Sequence, residues 1–186
     1  MKNPSDRWGP ISQLLHWATV LLIATIAMLG LVMVDMANTP DKVALYALHK
    51  SLGLTLLALV LLRLGWRLHA GSPLPVPGVP RWQERVARAT HFALYVLMFA
   101  MPLSGWLFNS AAGYPLQWFG LVNLPALAGE NRDLRELAGA LHEAGFWALL
   151  TLVIAHAGAA FYHHLFLRDA TLIRMLPRRR APELSE

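Results

Sequence analysis

LHEAGFWALLTLVIAHAGAAFYHHLFL, residues 141–167, is long and apolar enough to cross a bilayer, and it holds four of the chain's eight histidines. His142 and His156 are fourteen residues apart, which is ~21 Å of rise on an α-helix. Fourteen steps of ~100° return to within ~40° of the starting direction, so both rings leave one face. An ionisable side chain inside a membrane is costly and marks function by default. Two on one face, near opposite ends of a spanning helix, predict two stacked cofactors.

Composition bounds the rest. Of 186 residues, 56% are hydrophobic and 15% charged, with a mean hydropathy of +0.43. A soluble domain of this size cannot hide so much apolar surface, so the class is a membrane protein. With no cysteine, disulfides, thiolate zinc sites, iron–sulfur clusters, cysteine nucleophiles and covalent c-type haem attachment are all excluded. The first apolar run, 11–34, reads as a retained span, since no small-residue cleavage site follows it.

Four spans are expected, at about 11–34, 43–64, 90–109 and 141–167, forming one domain over residues 1–186. Pro40 marks a short turn, GSPLPVPGVP (71–80) ends the second helix, and Pro102 predicts a kink in the third. The long connection 109–136 is expected to lay Trp118, Phe119 and Pro125 at the interface or over the bundle. DLRELAGALHEAGF starts the fourth helix outside the hydrocarbon, and a tail from residue 168 is basic and then disordered. The fold class is therefore an all-α integral membrane protein, a four-transmembrane-helix up-down bundle holding two stacked cofactors, which the histidines below identify as b haems.

The net charge of +5 and pI near 10.1 raise nucleic acid as a partner, but the distribution of charge argues against it. Lys42, Lys50, Arg132 and Arg135 lie on one side, and the other twelve of the sixteen basic residues lie with both termini. The positive-inside rule puts both termini in the cytoplasm, with the arginines as topology signals and contacts for anionic lipid.

This topology matches the histidines in depth. His16 and His156 share the inner level, and His49 and His142 share the outer one. Two rings from different helices at one depth suit a bis-histidine haem b. An ordinary hydrogen bond accounts for any single buried histidine, but less well for four at matched depths. Zinc also takes neutral imidazoles, yet no carboxylate or thiolate joins either pair.

Gly30, fourteen after His16, faces the outer level and leaves room there, or serves ordinary helix packing. Arg63, fourteen after His49, reaches the inner level, to pair with a haem propionate or to snorkel to the interface. His91 opens the third span at the inner level, beside a haem edge, a propionate or a quinone. His163 lies two turns nearer the cytoplasm than His156, on nearly the same face, where it can hydrogen-bond a quinone carbonyl and pass a proton. His69 and His164 read as interfacial.

The motifs SQLLHW, ALHKSLG, HFALYVLMFAMPLSGW and LHEAGFWALLTLVIAHAGAAFYHHLFLRDATLIRMLPRR cover nearly the whole chain. Together they resemble the bacterial cytochrome b561 family, four-helix cytochromes with two b haems, and most of all its stand-alone superoxide oxidase type. The resemblance implies an inner-membrane protein with His16, His49, His142 and His156 as axial ligands, which serve as both metal and cofactor ligands. It also implies His163 as the quinone-side residue and ubiquinone as acceptor. Lys50, directly after one implied ligand, departs from the expected pattern, and the long outer loop matches poorly.

Bis-histidine irons leave no open position, so the expected chemistry is outer-sphere electron transfer. Electrons enter at the periplasmic level (His49, His142), pass to the cytoplasmic level (His16, His156) and reduce ubiquinone near His163, with superoxide as the expected donor. The main alternative is a haem subunit relaying electrons between the quinone pool and a redox partner protein. A homodimer is a further possibility, and a histidine-lined transporter is the rival from another class, although broken helices and inverted repeats are absent from the sequence.

Overall fold

Each apolar run forms one long helix: α1 Pro10–Asp35, α2 Pro40–Ala70, α3 Arg81–Ala111 and α4 Arg132–Tyr162. The structure is a computed structural model and describes residues 2–177, so the part of the tail expected to be disordered lies outside the described residues. All four helices are long and apolar enough to cross a membrane. Proline stands at the start of α1 and α2, where its missing N–H would have had no helical partner. Thr39 caps α2 by accepting from the Lys42 amide, and Asn131 caps α4 by accepting from Leu134 at 2.9 Å. Gly71, with φ +75° and ψ −170°, ends α2 in a conformation that is essentially glycine's alone.

The helices outrun the expected spans. α2 continues to Ala70 and α3 begins at Arg81, because hydropathy marks the hydrocarbon whereas helical hydrogen bonding continues beyond it. The 31 residues of α2 reach ~46 Å, more than the ~30 Å of a hydrocarbon core. α3 runs helically through Pro102.

Burial is inverted relative to a soluble protein. Leu14 and Leu21 on α1 are 69% and 68% exposed, while Thr19 between them is 1% exposed. Ser12, Gln13, Ser51, Asn109 and Ser110 are buried as well. Apolar side chains thus face the lipid, and small or hydrogen-bonded polar ones face the neighbouring helices. The apolar core is a compact cluster of Leu56, Val60, Leu94, Met98 and Leu149. Leu149 lies midway between His142 and His156, and Leu56 and Val60 lie between His49 and Arg63. The cluster therefore separates the two histidine levels.

The extensive helix contacts are α1 with α2, α2 with α3, and α3 with α4, and α4 makes none comparable with α1 or α2. That leaves a seam along α4 that side chains must fill. At one end, the α3–α4 connection contains a short hairpin, Leu116–Trp118 paired antiparallel with Val122–Leu124. The hairpin is strapped to α2: Trp118 Nε1 donates to Thr55 Oγ1 at 3.1 Å, and the Phe119 amide donates to Ser51 Oγ at 3.0 Å.

At the other end the N-terminal segment is tied to the end of α2 and to the residues that follow α4. Asn3 Nδ2 donates to the Gly71 carbonyl at 2.7 Å, and Asn3 Oδ1 accepts from Ser12 Oγ and the Gly9 amide. Trp17 Nε1 donates to the Met175 carbonyl at 3.0 Å, and Gln13 Nε2 donates to carbonyls of Trp8, Arg174 and Leu176.

Candidate functional site

The seam along α4 brings the four histidines together in the pairs expected from depth. The rings of His16 on α1 and His156 on α4 have centroids 6.3 Å apart with planes at 73°. Those of His49 on α2 and His142 on α4 are also 6.3 Å apart, at 72°. Two imidazoles bound at ~2.0 Å to opposite sides of one metal, each ring centre ~1.1 Å behind its nitrogen, would sit ~6.2 Å apart. Both pairs therefore fit a bis-imidazole iron. Among the described residues no group of three His, Cys, Asp or Glu side chains is arranged to hold a metal ion by itself.

Hydrogen bonding at the ring nitrogens refines this fit. Ser104 Oγ donates to the Met101 carbonyl at 3.0 Å and lies 3.0 Å from His142 Nδ1. A hydroxyl has one hydrogen, so with that hydrogen given to Met101 it accepts the Nδ1–H of His142, leaving the Nε2 lone pair free for a metal. His49 Nδ1 is buried without a hydrogen bond, and the nearby Ile26 carbonyl does not reach bonding geometry with it.

His16 differs. Arg63 Nη2 lies 2.9 Å from its Nδ1, and a guanidinium can only donate, so a neutral His16 in this arrangement carries its proton on Nε2. Binding iron at Nε2 would return the proton to Nδ1 and require that contact to open, freeing Arg63 for another acceptor. The Arg63 guanidinium also lies 5.6 Å from the Tyr95 ring centre. The His91 ring, on α3, has its centroid 5.2 Å from that of His156.

Glycines clear space at the other level. A Cβ on Gly30 would meet His49 Cε1 at 3.5 Å, and one on Gly105 would meet His142 Cε1 at 3.2 Å, tighter than ordinary contact. Gly105 lies fourteen residues after His91, the same interval that separates Gly30 from His16, so spacing could have found it. Ser104 carries no such signal, because its role depends on which helix lies opposite. Lys50 is half-buried, and its Nζ donates to Asn109 Oδ1 at 3.1 Å.

His163 is not at either histidine pair. α4 ends at Tyr162 in a wider five-residue π turn, His163–Leu167, followed by Arg168 with φ +52°. There His163 Nδ1 meets Asp169 Oδ2 at 2.5 Å. Burial pushes the Asp169 carboxyl up, but hydrogen bonds from His163 and Thr171 outweigh it and hold the group below the ordinary carboxylate range. Sequence reading missed Asp169, since a partner six residues away across a left-handed turn follows no helical period.

The family model described as prokaryotic cytochrome b561 matches residues 7–178. The chain belongs to that family. Two relatives from Escherichia coli K12, cytochrome b561 homolog 2 and homolog 1, are 34% and 31% identical to it, and their alignments cover 94% of this chain. Those alignments cover 93% and 99% of the relatives. A Yersinia pestis protein named probable superoxide oxidase is 30% identical over 166 residues, covering 89% of this chain and 93% of its own. Cytochromes b561 bind haem b and transfer electrons in membranes. This member is accordingly a multi-pass bacterial membrane protein with an electron-transfer role.

Proposed function

We propose that His16 and His156 ligate one haem b and His49 and His142 a second, within a single domain spanning the chain. On this reading the protein oxidises superoxide at the periplasmic end of the bundle and reduces ubiquinone at the cytoplasmic end. The observation that carries it is the shared 6.3 Å separation of two histidine pairs reaching across a seam that the helix backbones leave open. When bound, haem b supplies a one-electron carrier. With imidazoles from two helices holding each iron, donor and acceptor would react at the edges of the sites. Arg63, once released from His16, would pair with a haem carboxylate, and His91 lies against His156 at the same level. His163 is the hydrogen-bond partner for the quinone.

Both termini are assigned to the cytoplasm from the twelve basic residues on their side. Two superoxide anions and one ubiquinone, with two protons, would give two oxygen molecules and one ubiquinol. The name of the Yersinia relative supports superoxide as donor. A specific observation favours the second reading, a relay to a periplasmic or membrane redox partner. The outer side holds Asp35, Asp41, Glu130, Asp133, Glu136 and Glu143 against Lys42, Lys50, Arg132 and Arg135, a balance that repels an anion at long range.

Stopped-flow visible spectroscopy of the oxidised protein mixed with superoxide, with and without a soluble quinone, separates the two readings. Rapid growth of the reduced haem bands, reversed by quinone, is expected. Bands that ignore superoxide but respond to quinol would transfer the role to the relay, and protein made with ample haem yet lacking the bands would overturn both.

A further inference from the structure

We infer that Asp169 is the positioning residue of the quinone end, holding His163 so that Nε2 alone is presented to the substrate carbonyl. The inference rests on the proposed role of His163 and deepens it. The carboxylate is itself immobilised: Asp169 Oδ1 accepts from the Thr171 amide at 2.8 Å, and the Asp169 amide donates to the His163 carbonyl at 3.2 Å. The backbone bond closes a loop from the ring's own residue around to its partner, through Arg168 in the left-handed region. A non-glycine residue in that conformation is strained, and such strain persists where surrounding contacts over-determine it. The π turn widens the helix end just where this loop starts. Both side chains are largely withdrawn from solvent, each retaining 16% of its accessible surface.

The chemistry follows from the donor inventory. An ionised carboxylate only accepts, so Asp169 Oδ2 fixes a hydrogen on Nδ1. Nδ1 makes the only hydrogen bond of that ring among the described residues, which leaves Nε2 available. Quinone reduction takes up two electrons and forms two O–H bonds. The electrons come from the proposed donor at the other end of the bundle. His163, protonated at both nitrogens, would give its Nε2 proton to one carbonyl oxygen as the electrons arrive, breaking N–H and forming O–H. Water at the membrane surface supplies the second proton at the far oxygen and restores the imidazolium. Asp169 keeps the ring in one orientation and tautomer, the part a buried aspartate plays beside a general-base histidine elsewhere.

Asp169→Asn tests this while keeping an oxygen for the Thr171 amide. The variant is expected to keep its haem bands and its reduction at the donor end. Its quinone-reduction kcat should fall by about tenfold to a hundredfold with little change in KM. ¹⁵N-histidine spectra of the wild-type protein should show His163 Nδ1 protonated in both the charged and the neutral ring, and that signature should be lost in the variant. In a His163→Gln background, Asp169→Asn should cost nothing further. A full second loss there, or a wild-type rate in Asp169→Asn, overturns the inference. A wild-type rate in His163→Gln alone would instead remove His163 from the reaction. Should Asp169→Asn fail to accumulate, Asp169→Glu carries the test: its longer arm shifts the carboxylate from Nδ1, so a reduced kcat is expected and an unchanged one is contrary.

Discussion

The two ends of the bundle hold histidine pairs of the same separation in opposite surroundings. At the His49–His142 level the neighbours are neutral or missing: a serine hydroxyl on one ring, an unpartnered Nδ1 on the other, and glycines against both. At the His16–His156 level an arginine touches one ring and a third histidine lies against the other. One pocket is made by leaving side chains out, the other by bringing charge in. A cation beside a redox centre favours its electron-rich state, so identical cofactors in these places would differ in potential. The gradient would lead electrons from the neutral level toward the charged one.

Breaking the pairs should have the largest effect. His142→Ala and His156→Ala should each lower the haem b content by about half, with the surviving pair keeping its own spectrum. Quantitative haem extraction and low-temperature difference spectra check this. Loss of both haems from either change would show that the two levels fold as one unit rather than independently.

Glycine substitutions sharpen the contrast within the neutral level. Gly105→Ala presses a methyl on His142 and is expected to cost about 1–3 kcal/mol, whereas Gly30→Ala, in ordinary contact with His49, should cost clearly less. Thermal unfolding in detergent, followed through the haem bands, would rank the two. Arg63→Gln should have the smallest effect. It would lower the potential at the His16–His156 level by on the order of tens of millivolts and leave the other level in place. Spectroelectrochemical titration reads both at once, and equal shifts at the two levels would contradict the asymmetry.

The histidine pairing was legible in the sequence because each helix repeats its facing direction after fourteen residues. His142 and His156 display that interval within one helix, and alternating helix direction then sorts His16 and His49 by depth. The hairpin at 116–124 was not legible. Its strands have three residues each, too few to show alternation, and Ser51 and Thr55 hold it from a distant helix. The tie of the N-terminal segment to Gly71 and to residues 174–176 was equally hidden, since Asn3 and Gln13 bond to backbone carbonyls that carry no side-chain signature. The role of Arg63 was half visible. Spacing gave its level, but its contact with His16 Nδ1 belongs to tertiary packing.

Leu56, Val60, Leu94, Met98 and Leu149 fill the space between the two levels without an acidic or basic side chain among them. Electrons can tunnel through such a plug, whose five side chains offer a proton no titratable group. Under the proposed function the bundle would act as a molecular capacitor, with a charge entering one plate and its neutralising proton joining at the other. A displacement of ~21 Å through ~30 Å of hydrocarbon senses roughly seventy per cent of the membrane voltage, about 1.6 kcal/mol per 100 mV. In the proposed inward direction the electron moves against a negative interior. A fully energised membrane would brake turnover, and a depolarised one would release it.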